Sequence, residues 1–164
     1  MPKIKKSKFK KFKSFTLVEI MIVVAIIAML AALAIPNLLY SRLLSNEAVA
    51  RGTLKTISSS CESFRVVDIV KSFPLDLLAL TSAVPPYINE AVDTNSTGVP
   101  KNGYFYDYTR INLQQFVCAA RPSTYRATGI RTFAVNETGQ LRAIDNNAAV
   151  INTEALYNSM TPVQ

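Results

Sequence analysis

The sequence predicts an α+β fold in which one long N-terminal helix crosses a membrane with its first half and packs its second half against a C-terminal antiparallel sheet of three to four strands. Three observations carry this. Residues 15–35 hold only two polar side chains, Thr16 and Glu19, in 21 positions, which gives ~30 Å of apolar helix and matches a bilayer span. From Leu43, positions 43, 47, 50, 54, 57, 61 and 64 alternate spacings of four and three, the period of an amphipathic helix. The last third holds short β-branched and aromatic segments broken by polar or Pro/Gly-containing stretches, the pattern of a small sheet.

Taken in chain order, residues 1–14 form a basic leader with lysines at 3, 5, 6, 8, 10, 11 and 13 and no acid. Residues 15–36 are the membrane-spanning helix. A secretory signal peptide fits this run poorly, because its apolar core is too long and no small-x-small site closes it cleanly. Pro36 removes a backbone donor and predicts a kink. Residues 37–72 continue the helix in amphipathic form. Leu43, Ala50, Leu54, Ile57, Cys61 and Phe64 share one face with a single charged member, Glu47, and Arg42, Arg51, Lys55, Glu62 and Arg65 fall off it toward solvent. Residues 73–102, with Pro74, Pro85, Pro86 and Pro100, read as a surface connection with short helical turns at 75–80 and 87–92. Strands are expected at 104–109, 116–120, 132–136 and 141–144 within 103–164. Between the last two, Asn136-Glu-Thr-Gly139 reads as a hairpin turn with Gly139 supplying positive φ.

Charge and composition exclude several function classes. The formal charge is +7, with 18 basic and 11 acidic residues. Seven of the basic residues are the leader lysines, so the remainder has 18 − 7 = 11 cations against 11 acids. The head therefore offers no electrostatic argument for a nucleic-acid surface. Lysines placed before an apolar helix hold that end in the cytoplasm and send the C-terminal part outward. With no histidine and two cysteines, neither an ordinary structural zinc site nor a histidine-based catalytic constellation is available, and the chain reads as no enzyme.

The segment Lys13-Ser14-Phe15-Thr16-Leu17-Val18-Glu19, followed by the apolar helix to Pro36, resembles the class III prepilin signal of type IV pilins and type II secretion pseudopilins. The likeness implies a pilin fold and cleavage between Ser14 and Phe15 by a prepilin peptidase that also methylates the new amino group of Phe15. It further implies assembly through Phe15, Glu19 and Pro36, with Glu19 meeting the amino group of a neighbouring subunit. The family has glycine before the cut, where this chain has Ser14. A carboxylate in an apolar helix is costly in a bilayer unless it is neutralised or paired, and cleavage would create the cation that pairs it. The expected partners are the prepilin peptidase/methyltransferase, other copies and related pilins in a helical filament, and the inner-membrane assembly platform. The expected location is the inner membrane, with the N-terminus cytoplasmic and the C-terminus periplasmic, and afterwards a filament beyond it.

Other residues are weighed beside these. Cys61 lies on the helical stripe and Cys118 alternates with Phe116 and Ala120, so the two are a candidate disulfide across a separation of 118 − 61 = 57 residues, worth about 4 kcal/mol if unstrained. Buried free thiols are the alternative. Tyr104, Tyr106 and Tyr108 share one strand face, read as a half-buried sheet surface rather than a sugar site. Asp107, Glu137 and Asp145 could take calcium, as some pseudopilins do, but no dense acidic loop supports it, and no cofactor is expected. Asn95 and Asn136 head glycosylation-type triplets. Three functions follow: a type IV pilus subunit for adhesion, motility or DNA uptake; a pseudopilin of a secretion pseudopilus; and, from another class, an uncleaved membrane-tethered binding domain.

Overall fold

The computed structural model describes residues 15–88 and 99–163. The chain divides into two units, Met1–Leu38 and Leu39–Gln164. Helix α1 (Leu17–Val67) runs through Pro36 without a break in its span. In the first unit its apolar side chains are exposed all round, from Leu17 to Leu38, as expected of a helix whose solvent is lipid.

In the second unit, α1 buries Glu47, Ala50, Leu54, Ile57 and Cys61 of the four-three stripe and also Ser60, with Leu43 and Phe64 partly buried at the ends of the stripe. Leu54 and Ile57 are completely covered, each contributing about 2 kcal/mol of transfer free energy. The covering surface is a sheet of β1 (Tyr104–Asn112), β2 (Gln115–Pro122), β3 (Thr132–Asn136), β4 (Leu141–Ile144) and β5 (Thr161–Pro162). Its strands lie in sequence order and all pair antiparallel. The architecture is the α+β arrangement of a long helix on a C-terminal antiparallel sheet. The fifth strand exceeds the three to four expected. It has only two residues, too short to show alternation, and its Pro162 is tolerated because it lies on an edge.

Alternation along the strands places Tyr104, Tyr106, Tyr108, Phe116, Cys118, Ala120, Phe133 and Val135 against α1. The tyrosine face expected to be half buried is fully buried. Tyr108 donates from its hydroxyl to the Pro74 carbonyl at 2.9 Å, and Tyr104 donates to the Arg131 carbonyl at 3.1 Å. Gly139 has φ 71 and donates its N–H to the Asn136 carbonyl, forming the expected turn.

Three features differ from the sequence reading. The helix stops at Val67 instead of continuing to 72, because Asp68 Oδ2 accepts from both the N–H and the hydroxyl of Ser72, and Lys71 takes a left-handed φ of 57. Such local bonds compete with the helix ladder. The connection after it is not merely superficial, since Phe73, Leu77, Leu80 and Ile88 enter the core. The Phe73 N–H donates to the Leu113 carbonyl and so fastens the segment to the β1–β2 hairpin. Of the two short helical turns expected there, the first overlaps α2 (Leu78–Thr81), and the expectation at 87–92 lies mostly outside the described residues. Finally, the C-terminal tail folds. Ile151, Tyr157 and Met160 cover Val117, Ala119 and Ala134 on the opposite sheet face, with α3 (Glu154–Asn158) capped by Thr153.

Candidate functional site

The N-terminal turn of α1 is built by two side chains. Thr16 precedes the first helical residue, and its Oγ1 accepts from the Glu19 N–H at 3.2 Å. Glu19 reaches back, its Oε2 accepting from the Thr16 N–H and the Thr16 hydroxyl at 2.8 Å each. This is a capping box, which satisfies donors that the first turn would otherwise leave bare. The order Thr16-Leu-Val-Glu19 carries that signature in sequence, so Thr16 joins Glu19 as a residue of the site, legible from the capping-box spacing. Both reciprocal bonds land on Oε2, and Oε1 receives none from the described residues. Phe15, just outside the helix, is 79% exposed. Ser14 lies outside the described residues.

Beyond Pro36, the Asn37 side-chain amide donates to the Leu33 carbonyl at 3.2 Å, satisfying an acceptor beside the one that proline leaves without its usual partner.

The second glutamate of the helix is satisfied quite differently. Glu47 Oε1 accepts from the Ile130 and Arg131 backbone N–H groups at 3.3 and 3.2 Å, and Oε2 accepts from Arg131 Nε and Nη2 at 3.0 and 2.7 Å. The single charged position of the apolar stripe is thus a clamp between α1 and the segment entering β3.

Cys61 and Cys118, the candidate disulfide pair, enter the same core, both completely buried, and stand here as free thiols. Tyr108 is the cross-strand partner of Cys118. Burial, chiefly, pushes the Cys61 thiol up to about 12. Burial and then the neighbouring Cys61 raise Cys118 well above an ordinary thiol. Neither is an activated nucleophile.

The three acids weighed for calcium are not brought together. Asp107 is buried and pairs with Arg121 at 2.8 Å, Asp145 accepts from the Tyr125 hydroxyl at 2.8 Å, and Glu137 sits on the β3–β4 turn. Among the described residues no three acidic, histidine or cysteine side chains are grouped to hold a metal ion. Asn136 is buried, its Oδ1 accepting from the Thr138 N–H and hydroxyl, so it is closed to glycosylation in the folded head. Asn95 lies outside the described residues.

Residues 9–35 match the family described as the prokaryotic N-terminal methylation motif. No curated protein and no solved structure matches the chain.

Proposed function

Starting from the class III prepilin signal that heads this chain, a signal of structural subunits rather than catalysts, we propose that the protein is the structural subunit of a type IV pilus. Prepilin peptidase removes residues 1–14 between Ser14 and Phe15 and methylates the new amino group. The mature chain then enters a filament through residues 15–36, leaving the inner membrane for the cell surface, where it serves adhesion, motility or DNA uptake. The formally balanced charge outside the leader and the absence of a dense acidic loop in the sequence favour a pilus subunit over a secretion pseudopilin.

The observation that carries this reading is the setting of Glu19. It stands in the first turn of a helix long and apolar enough to cross a membrane, and Thr16 of the same turn is its one hydrogen-bond partner among the described residues. A carboxylate so placed calls for a cation. Cleavage produces one on Phe15, next to the capping turn, and in a filament the amine of an adjacent copy serves. Thr16 holds the Glu19 side chain through Oε2 and leaves Oε1 to receive it.

The test is the intact mass of material sheared from cells. The expected species begins at N-methylated Phe15. Recovery of chains that all retain residues 1–14, confined to the inner membrane, overturns the proposal and leaves a tethered domain. Processed chains absent from surface fibres but needed for export of folded proteins would assign it to a pseudopilus instead.

A further inference from the structure

Between the middle of α1 and the β4–β5 edge, the head carries a cleft of about 280 Å³ lined by Ala48, Arg51, Gly52, Lys55, Leu141 and Val163. Two of its features bear on what it could hold.

The first is its charge. Of the other arginines, Arg131, Arg121 and Arg65 are matched by Glu47, Asp107 and Glu62, and Arg110 and Arg142 donate to neutral oxygens of the head. Arg51 and Lys55 form no ion pair with the described residues. The nearby acids are otherwise occupied or out of reach. Glu47, one turn earlier, is saturated by Arg131 and two backbone N–H groups. Glu62 and Glu137 line the adjoining cleft with Lys55 without pairing to it. Arg51 also has a buried Nε with no hydrogen-bond partner, while its guanidinium lies 5.9 Å from the Phe133 ring centroid. A buried donor left unpaired demands an explanation.

The second is Gly52. A glycine inside a helix lowers stability relative to alanine, and is retained where something needs the space. A Cβ built at Gly52 meets no atom of the described residues within 4 Å, and none of them fills the gap.

We propose that this cleft docks a carboxylate-bearing segment of a second copy of the chain, with Arg51 and Lys55 receiving the acid and Gly52 letting the incoming backbone approach α1. The inference rests on the filament reading, which supplies the second copy. Charge complementarity favours that occupant. Among the described residues, Glu137 makes no ion pair or hydrogen bond, and the Asp145 and Glu154 carboxylates engage only the neutral Tyr125 and Gln115 side chains. Acids without a cationic partner thus stand elsewhere on the head, and Arg51 and Lys55 bring two cations without an acidic partner together in this cleft. A free anion would satisfy the charge but has no use for the missing Cβ, whereas a peptide segment needs both.

The test is carbodiimide treatment of sheared filaments of the full chain, a reagent that joins an amine to a carboxylate only in direct contact. The expected product is a species of twice the subunit mass in which Lys55 is linked to an aspartate or glutamate of another copy. Gly52→Ala leaves the melting of the head unchanged or raised, because the methyl touches nothing, yet loses the linked pair. Arg51→Glu loses it as well, and Arg51→Lys keeps it. Filaments in which Lys55 is unlinked or linked only within its own chain overturn the docking, as do Gly52→Ala and Arg51→Glu filaments that link like the wild type. If no filament contains the chain in any form, the filament reading falls and the docking with it.

Discussion

Glu19 and Glu47 belong to one helix and break the apolar pattern of two different segments, yet their surroundings are opposites. Glu47 is 3% exposed and accepts four hydrogen bonds, two of them from the guanidinium of Arg131. Glu19 lies exposed in the first turn and, among the described residues, accepts only from Thr16. An acid on an apolar face must be answered by a donor or a cation. The head answers Glu47 within the fold. The membrane-type segment gives Glu19 a cap but, among the described residues, no cation, so its answer is sought in another molecule. The first glutamate is therefore a candidate for assembly, the second a fixture of the monomer.

That division is broken most directly at Glu47. Glu47→Ala strips a partner from Arg131 and from two backbone donors, and is expected to destabilise the head by about 3 kcal/mol. The value sits at the low end for a broken buried pair because the Arg131 side chain is 44% exposed. Denaturant unfolding of the full chain in detergent, followed by tyrosine near-ultraviolet dichroism since the chain has no tryptophan, measures it. A loss well under 1 kcal/mol would make the clamp ornamental.

A second measurement tests how dry the core is around Cys61. The Cys61 pKa is raised from 9.0 to about 12 in the fold. The unfolded chain therefore loses its thiol proton first as pH rises, and the stability held in the neutral thiol is complete below pH 9.0 and lost toward about 12. The expected slope is about 1.4 kcal/mol per pH unit for this group, and Cys61→Ala should remove its share. A flat profile above pH 9 would show that water reaches the thiol, or that the two cysteines have joined.

Much of this organisation is legible in the sequence, and the reasons differ by segment. The helix stripe from Ala50 to Cys61 is set by a repeated spacing, so it survives any detail of packing. Four strands and the Gly139 turn follow from alternation and one φ requirement. Arg131 as partner of Glu47 is not legible, because 84 residues separate them and only the tertiary fold brings them together. The buried connection at Phe73, Leu77 and Leu80 was hidden by its prolines, whose local turn preference says nothing about where side chains point. The tail over Val117 and Ala119 has the same cause: its apolar residues are spaced by loop geometry, with no period to read. At the candidate site, Glu19 is conspicuous as an acid in an apolar run, while Thr16 is legible only when the spacing of the capping box is looked for.

The smallest expected effects on the fold bear most on Glu19. Thr16→Ala removes the cap and should cost about 1 kcal/mol of local helix stability, seen as faster amide exchange at Val18 and Glu19 with no change in the melting of the head. Glu19→Gln is gentler still, because glutamine also serves at the third helical position of a capping box and Thr16 keeps its partner. Amide protection and melting should both stay at wild-type values. The charge alone is gone, so the variant should be processed normally but missing from sheared filaments, if Glu19 meets the amine of a neighbouring copy. Wild-type recovery of Glu19→Gln in filaments would reduce Glu19 to a helix cap. The two glutamates would then differ only in burial, each satisfied inside its own chain, and the cation that assembly supplies would have to act elsewhere.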